Sequence, residues 1–294
     1  MEHERYGPLI FMRGENRGRY PYCHSVFIEE AGILIDPSSN REQLKRLHRE
    51  KRIKMIWLTH WHEDHLMHLD LFDDLPLWMS EQDAPPLGDI EVFLDWYLID
   101  NPSLREGWKS IMKQQFHFIP RRAERFLKDK DVIDFGSLTV EVIQTPGHSP
   151  GHLAFFFREP SILFTGDYDL TPMGPWYGDL YSSITDTIAS IQRLKSVTAH
   201  MWLTCHETGV FHGPGDELWK RYEGTIYDRE NKLLRVLEEP RTLEEIVASW
   251  IFYGKPREPK DFFEFGERLH MQKHLAWLME KGLIDQQDGK FFKK

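Results

Sequence analysis

The sequence predicts an α/β layered fold followed by a small unit of different composition. Short apolar runs typical of strands alternate with segments whose apolar residues recur at helical spacing, which is the pattern of helices that cover a sheet. The last 70 of the 294 residues contain 13 basic and 13 acidic side chains, so the acidic excess behind the net charge of −10 lies entirely in the first 224. We therefore predict a large domain over residues 1–224 and a small one over 225–294.

The first predicted elements are a hairpin, a helix and a strand. Residues 26–28 and 33–35 are apolar runs joined by a short turn sequence that ends in glycine, which predicts two paired strands that open the fold. Ser39 or Asn40 can cap the helix that follows. The apolar run 53–58 then predicts a buried strand.

The alternation continues through the middle of the chain and is interrupted once. Three further apolar runs predict strands, at 138–143, 162–164 and 201–203. A helix at 184–194, capped by Ser182 or Ser183, separates the last two. Residues 81 to about 130 are helix-prone and broken by prolines, so we interpret them as a helical insertion. Its aromatic side chains either line a substrate pocket or form a core of the insertion: Trp96, Tyr97, Trp108, Phe116 and Phe118.

The final segment, residues 225–294, predicts three helices and a hairpin. One helix runs from about Thr225 to near Pro240, and a second begins at Thr242, where Thr and a Glu three residues later form a capping box. A third helix precedes two short strands around a polar turn within 282–292. Three helices followed by a hairpin make a winged helix.

Composition excludes several classes of protein. The longest apolar stretches end far short of the roughly 18 residues that a membrane-spanning helix requires, and the charged amino terminus lacks the apolar core of a secretory signal. We therefore expect a cytoplasmic protein with no membrane partner. Two cysteines, Cys23 and Cys205, are too few for a disulfide framework, so His and carboxylate side chains would have to hold any metal.

A cluster of candidate metal ligands follows the strand predicted at 53–58. His60, His62, Asp64 and His65 lie within six residues, and side chains of these types are costly to bury without partners. A loop that leaves a strand end can turn the alternate residues His60 and His62 toward one point and leave the next pair free to face another. The motif therefore predicts a site for two metal ions.

Three more candidate ligands stand at the ends of strand-like runs. His148 follows Thr-Pro-Gly, Asp167 follows Phe-Thr-Gly, and His206 follows Leu-Thr-Cys. Loops at strand ends in an α/β fold converge at one edge of the sheet, where functional residues gather. Gly147 and Gly166 suit the sharp turns that a backbone makes beside an ion.

In order, spacing and strand context, these residues resemble the metallo-β-lactamase superfamily, whose pattern is a His-x-His-x-Asp-His loop followed by a His, a bridging Asp and a final His. The resemblance covers roughly residues 20–215 and implies an αββα sandwich. It also implies a ligand set for each of two metal ions: His60, His62 and His148 for the first, Asp64, His65 and His206 for the second, and Asp167 as the bridge between them.

The chemistry of hydrolysis explains this ligand set. A metal ion lowers the pKa of bound water from about 15.7 toward 7, and two ions about 3.5–4 Å apart can hold one hydroxide and clamp the substrate oxygen. Asp64 would orient that hydroxide and take up its proton, which makes it the predicted catalytic residue. Nitrogen and oxygen ligands suit zinc and iron alike. We predict two divalent metal ions, with zinc as the default for hydrolysis and iron as the alternative.

The identity of one predicted ligand and the presence of the tail indicate which subgroup of the superfamily the chain resembles. Common zinc β-lactamases place a cysteine where Asp167 stands, whereas Asp167 and the run 145–152 resemble the hydroxyacylglutathione hydrolases and the β-lactamase-like 2 group. The second group also carries a winged-helix tail, so it is the closer resemblance. The chain departs from it at 66–68, where Leu-Met-His replaces Gly-Gly, and around His206, where Thr-Cys-His-Glu replaces Pro-Gly-His-Gly. These departures leave the substrate open.

Three functions compete for this chain. The first is hydrolysis of a small acyl substrate, a thioester or another ester, which suits the acidic domain and the aromatic insertion. The second is an endoribonuclease, which the tail favours and the net charge opposes, so a nucleic-acid partner is disfavoured but stays open. The third is a mononuclear iron dioxygenase that acts on persulfides. Winged helices also serve as dimerisation modules, which leaves a homodimer open.

Overall fold

The computed structural model describes residues 3–213 and 215–294, and over these ranges its strands form two large sheets and one small hairpin. The first sheet follows chain order and consists of β1 His3–Tyr6, β2 Leu9–Met12, β3 Ser25–Ile28, β4 Ile33–Ile35, β5 Met55–Trp57, β6 Leu77–Met79 and β7 Arg125–Phe126. The second sheet, in the reverse of chain order, contains β8 Val132–Asp134, β9 Thr139–Gln144, β10 Leu153–Phe157, β11 Ile162–Phe164, β12 Met201–Leu203 and β13 Val210–His212. The helices and the terminal hairpin are α1 Arg41–Arg49, α2 Glu63–Leu66, α3 Pro85–Gly88, α4 Ile90–Trp96, α5 Pro102–Gln114, α6 Ile184–Ser196, α7 Asp216–Val236, α8 Leu243–Val247, α9 Lys260–Glu280, β14 Ile284–Gln287 and β15 Lys290–Lys293.

Alternation of side chains along the strands builds a layered structure. Val26 and Ile28 of β3 pack with Val140 and Val142 of β9 in the core between the two sheets, whereas Phe27 faces the outside of the first sheet. Helices α1, α3, α4 and α5 cover that outer face, and α6 and α7 cover the outer face of the second sheet. The layers therefore run helix, sheet, sheet, helix, in agreement with the α/β fold that the sequence predicts.

The strands that precede the predicted ligands end at one edge of this sandwich. β11 and β12 are parallel, so the loops that carry Asp167 and His206 leave the second sheet side by side. The backbone N–H of Leu153 donates to the carbonyl of Thr59 at 2.9 Å, which joins the two sheets beside the loop after β5. Loops from both sheets thus meet at the same place.

The start of the fold differs from the prediction. The hairpin of β3 and β4 is present, with Val26 opposite Ile35, but it does not open the fold, because β1 and β2 precede it. Strand β2, residues Leu9–Met12, is buried, although charged residues precede and follow it in the sequence. Four apolar residues in a charged terminus carry too little periodicity to predict a strand.

The predicted insertion at 81–130 contains α3, α4 and α5, and it ends in strand β7, which pairs with β6 in parallel. Its final residues therefore belong to the first sheet. Phe116 is 2% exposed and belongs to the core beneath these helices, whereas Trp96, Tyr97 and Trp108 are only partly buried. Phe116 thus belongs to the core, and the other aromatic residues of the insertion pack against that core at its edge.

The helix that the sequence predicts from about Thr225 begins earlier in the structure. Helix α7 starts at Asp216 instead of Thr225, because Trp219 and Tyr222 in its first turns are buried against the second sheet and α6. The predicted division at residue 224 falls inside this helix. The Thr242 capping box, helix α9 and the hairpin of β14 and β15 are present. No helix in the described part of the chain is both long and apolar enough to cross a membrane.

Candidate metal centre

The loop after β5 brings the first predicted ligands together. His62 has extended backbone, and the chain then turns into the short helix α2, which carries Asp64 and His65 in its first turn. Thr59 holds the start of the loop, because its backbone N–H and its hydroxyl both donate to the Asp36 carboxylate at 2.8 Å. The ligand side chains of this loop are buried.

His148, on the loop after β9, completes a group of three imidazoles. Its Nε2 lies 2.9 Å from Nδ1 of His62 and 3.1 Å from Nε2 of His60, and the latter two nitrogens are 3.0 Å apart. An imidazole nitrogen either donates or accepts, so the three contacts cannot all be hydrogen bonds at once. Their spacing is close to the edge of about 3.3 Å of a tetrahedron with metal–nitrogen bonds near 2.0–2.1 Å. The group suits a shared cation.

Asp167 lies between this group and a second one. Its Oδ2 is 3.4 Å from Nε2 of His148 and 3.9 Å from Nε2 of His60. Its Oδ1 is 3.0 Å from Nε2 of His65 and 3.3 Å from Nε2 of His206. One carboxylate oxygen therefore faces each group, which is the arrangement of a bridging ligand.

Asp64 joins the second group, with Oδ2 at 3.4 Å from Nε2 of His206 and Oδ1 at 3.8 Å from Nε2 of His65. Within the described residues, Nε2 of His65 and Oδ1 of Asp167 are buried and have no hydrogen-bond partner. Orphaned polar atoms that face each other in a buried site are costly unless an ion satisfies both. The residues of the second group thus fit a metal ion as well.

Each ligand histidine is oriented through its other ring nitrogen. Metal-binding histidines in proteins show this pattern, because a partner on the second nitrogen fixes the ring and its tautomer. The partners here are the Thr59 hydroxyl for His60, the Asp179 carboxylate at 2.7 Å for His62, the Asp36 carboxylate at 3.0 Å for His65, the Trp176 carbonyl for His148 and the Gly18 carbonyl for His206.

Charges within the centre shift its pKa values in opposite directions. Burial lowers the pKa of His148 to about 4 and that of His60 well below its usual range, so both rings are neutral and able to bind a metal. Burial alone would also lower the pKa of His62, but the Asp179 carboxylate outweighs it and raises that pKa to about 9. For Asp167, burial opposes ionisation, yet the charges of His206 and His65 hold its pKa well below the usual range.

The structure therefore brings all seven predicted ligands into one centre, and it adds residues that sequence reasoning missed. Asp36 directly follows β4, and Asp179 lies in the long loop before α6. Asp36 could have been predicted from the sequence, because it directly follows a predicted strand, as the predicted ligands do. No periodicity or motif marks Asp179, because its partner His62 is far away in sequence.

Three other residues near the motif have supporting positions. His152 accepts a hydrogen bond from the backbone N–H of Asp167 at 3.1 Å and contacts the Thr145 hydroxyl, so it braces the loop that carries Asp167. The Cys205 thiol lies 3.5 Å from the Asp36 carboxylate and close to the predicted ligand His65. His68 lies beside Arg41, 3.4 Å from its guanidinium.

Comparison with known proteins places these features in a wider group. The family model described as the metallo-beta-lactamase superfamily matches residues 18–238. A probable metallo-hydrolase from Streptococcus pyogenes serotype M6 is 35% identical over 168 residues, which are 55% of this chain and 65% of that protein. The acyl-coenzyme A thioesterase MBLAC2 of Gallus gallus is 35% identical over 176 residues, which are 58% of each chain. The chain thus matches less than two thirds of the length of these relatives.

A solved structure extends the likeness to the carboxyl-terminal unit. The crystal structure of a metallo-beta-lactamase family protein from Thermus thermophilus aligns with 98% of this chain and 99% of its own, with a TM-score of 0.70. The two sequences are 21% identical, so this likeness concerns the fold.

Proposed function

Because the chain belongs to the metallo-β-lactamase superfamily and is a metal-dependent hydrolase, we propose that it uses two metal ions to hydrolyse the thioester bond of a small acyl compound. The observation that carries the dinuclear part is Asp167, whose two oxygens face the two ligand groups separately. The acyl part is supported by the relative named as an acyl-coenzyme A thioesterase.

The residues present would hold two zinc ions. His60, His62 and His148 would bind one ion, Asp64, His65 and His206 the other, and Asp167 both. Zinc suits this set of imidazoles and carboxylates in a hydrolase, although the same donors also bind iron. When bound, the two ions would activate water and polarise the carbonyl of the substrate.

The chain itself would position the water and move its proton. Asp64 faces both histidines of the second group and is 5% exposed, so its carboxylate can orient the attacking water and receive the proton that the water loses. Asp36 and Asp179 hold His65 and His62 in place through their outer nitrogens. Asp64 would thus transfer the proton, whereas Asp36 and Asp179 would orient the histidines.

We also propose that residues 225–294 form a winged-helix unit that supports the site instead of binding nucleic acid. Helices α8 and α9 and the hairpin have the required order, and Arg241 adds a bridge to Phe291 at the edge of the hairpin. Arg229 of α7 donates to the Pro175 carbonyl and to the Tyr177 hydroxyl, in the loop that carries Asp179. Such contacts support a packing role.

The test is metal content followed by turnover on a panel of an acyl thioester, RNA and a persulfide. We expect two ions per chain in protein expressed with zinc, and hydrolysis of the thioester alone. Asp64→Asn should impair turnover more than folding, because Asn keeps the size of the side chain but cannot take up a proton. One ion at saturation together with persulfide oxidation would refute the proposal.

A further inference from the structure

Four aromatic side chains from three distant parts of the chain form a row that begins at the metal ligand His62. Tyr97, at the end of α4, stacks on the His62 ring with centroids 5.6 Å apart. Trp108 of α5 stacks on Tyr97 at 6.2 Å, and Phe262 of α9 lies 6.1 Å from Trp108. Tyr20 of the amino-terminal loop stacks on Phe262 at 6.1 Å. We call these four residues the aromatic wall.

The aromatic wall has a buried back and an accessible front. Trp61 and Phe93 are fully buried, and their ring centroids lie 4.8 Å and 5.3 Å from that of Tyr97. In contrast, Tyr20 is 46% exposed, and Trp108 is only partly buried. An accessible apolar surface that leads to a polar reaction centre is the usual composition of a small-molecule site.

Glu63 ties the wall to the metal-binding loop. It lies between the ligands His62 and Asp64 and is 2% exposed. The Tyr20 hydroxyl donates to its Oε1 at 2.7 Å, and the Tyr97 hydroxyl donates to its Oε2 at 2.5 Å. Both phenol groups are therefore turned inward and held, so Glu63 is a positioning residue for the wall.

We propose that the aromatic wall binds the acyl group of the substrate and that the carboxyl-terminal unit, through Phe262, sets the preferred acyl length. This inference rests on the proposed thioester hydrolysis. Counted from His62, Tyr97 is the first ring of the row, Trp108 the second and Phe262 the third, with successive centroids about 6 Å apart. A two-carbon acyl group would therefore contact Tyr97, whereas a longer chain would also contact Trp108 and Phe262. Each methylene buried against the rings should raise kcat/KM about fourfold.

The first experiment measures kcat/KM for N-acetylcysteamine thioesters with acetyl, hexanoyl and decanoyl groups in the zinc-loaded full chain. We expect kcat/KM to rise with acyl length in the wild type. Phe262→Ala should lower the ratio of decanoyl to acetyl kcat/KM by about tenfold, because it removes the outer ring of the wall. Tyr227→Ala is the matched control, since Tyr227 is an exposed aromatic residue of α7 whose ring contacts Trp277. That variant should keep the wild-type ratio.

The second experiment measures binding without turnover, by calorimetry with the S-decyl and S-ethyl thioethers of N-acetylcysteamine. We expect tighter binding of the decyl compound, and we expect Trp108→Ala to remove most of the difference. Equal affinity of the wild type for both thioethers, or an unchanged acyl-length ratio in Phe262→Ala, would overturn the aromatic wall. Absence of thioester hydrolysis with length-dependent thioether binding retained would contradict the proposed function and still support the wall.

Discussion

At the scale of single residues, the centre depends on one carboxylate. The Asp167 side chain is 11% exposed and lies between the two histidine groups, and its Oδ1 is buried without a hydrogen-bond partner in the described part of the chain. A buried carboxylate is stable only where charges or ions compensate the loss of water. We therefore expect this side chain to link the stability of the centre to its occupancy by metal.

Replacement of this carboxylate tests that link. Asp167→Ala should reduce metal content below two ions per chain and lower kcat/KM at least about 100-fold, because loss of even an outer partner of a ligand costs about 10–100-fold in affinity or activity. Elemental analysis and thioester turnover measure the two effects. Asp228→Ala, at an exposed position of α7, is the control and should keep both values. Retention of two ions by Asp167→Ala would contradict the bridging role.

At the scale of elements, helix α9 supports the loop that orients two ligands. The backbone N–H of Tyr177 donates to His270, and the Tyr177 hydroxyl contacts His274 at 3.0 Å. Lys273 donates to the carbonyls of Leu180 and Ser182. The loop held in this way carries Trp176 and Asp179, which orient His148 and His62. Helix α9 therefore affects the centre indirectly, because it holds the loop whose residues orient His148 and His62.

The buried histidines of α9 predict acid sensitivity. Burial, helped by the charges of Arg229 and Lys281, lowers the pKa of His274 from 6.5 to about 3. Between these values the unfolded chain binds a proton that the folded chain does not, so this contribution to stability is complete above pH 6.5 and is lost as the pH falls toward 3. The slope is about 1.4 kcal/mol per pH unit for one group.

His274→Gln should therefore unfold with a weaker pH dependence than the wild type. The measurement is the free energy of unfolding in urea at pH 7, 6 and 5, taken as the difference between variant and wild type. As the pH falls, the free energy of unfolding of the variant should rise relative to that of the wild type. His200→Gln, at an exposed position, should follow the wild type. Parallel curves for His274→Gln and wild type would show that His274 does not carry this effect.

At the scale of the whole molecule, charge argues against a nucleic-acid partner. The chain carries −10 overall, and the carboxyl-terminal unit is neutral. Its clustered cations are Lys290, Lys293 and Lys294, and Lys294 pairs with Asp285 at 3.3 Å. Few phosphates could be neutralised by such a surface, and phosphate neutralisation supplies most of the affinity of non-specific binding.

We therefore expect no tight binding of fluorescent single-stranded RNA or duplex DNA at low or moderate salt. Each phosphate contact would add about 0.9 to the slope of log affinity against log salt for duplex DNA and about 0.7 for single strands. The control is the full chain with Lys290, Lys293 and Lys294 all replaced by Ala. Tight binding that is steeply salt-dependent and disappears in this variant would favour an endoribonuclease over the proposed acyl hydrolase.

The layered α/β order was predictable from the sequence because local patterns carry it. The strands at 33–35, 162–164 and 201–203 were located to the residue, and the Thr242 capping box was identified from a pair of side chains three residues apart. The start of α7 was not, since the burial of Trp219 and Tyr222 comes from packing against α6 and the second sheet. The periodicity of a sequence shows which residues of a helix are apolar. It does not show whether those residues pack against one structural unit or against two.

The sequence by itself determined which side chains could bind metal, because each candidate ligand stands in a short motif at the end of a strand. Only the tertiary structure decided which of them face each other, since His60 and His148 come from opposite sheets. The same holds for the carboxylates of Asp36 and Asp179 and for the contact of Phe262 with Tyr20. These contacts join residues that are remote in sequence, so they depend on the packing of whole elements, which no local pattern encodes.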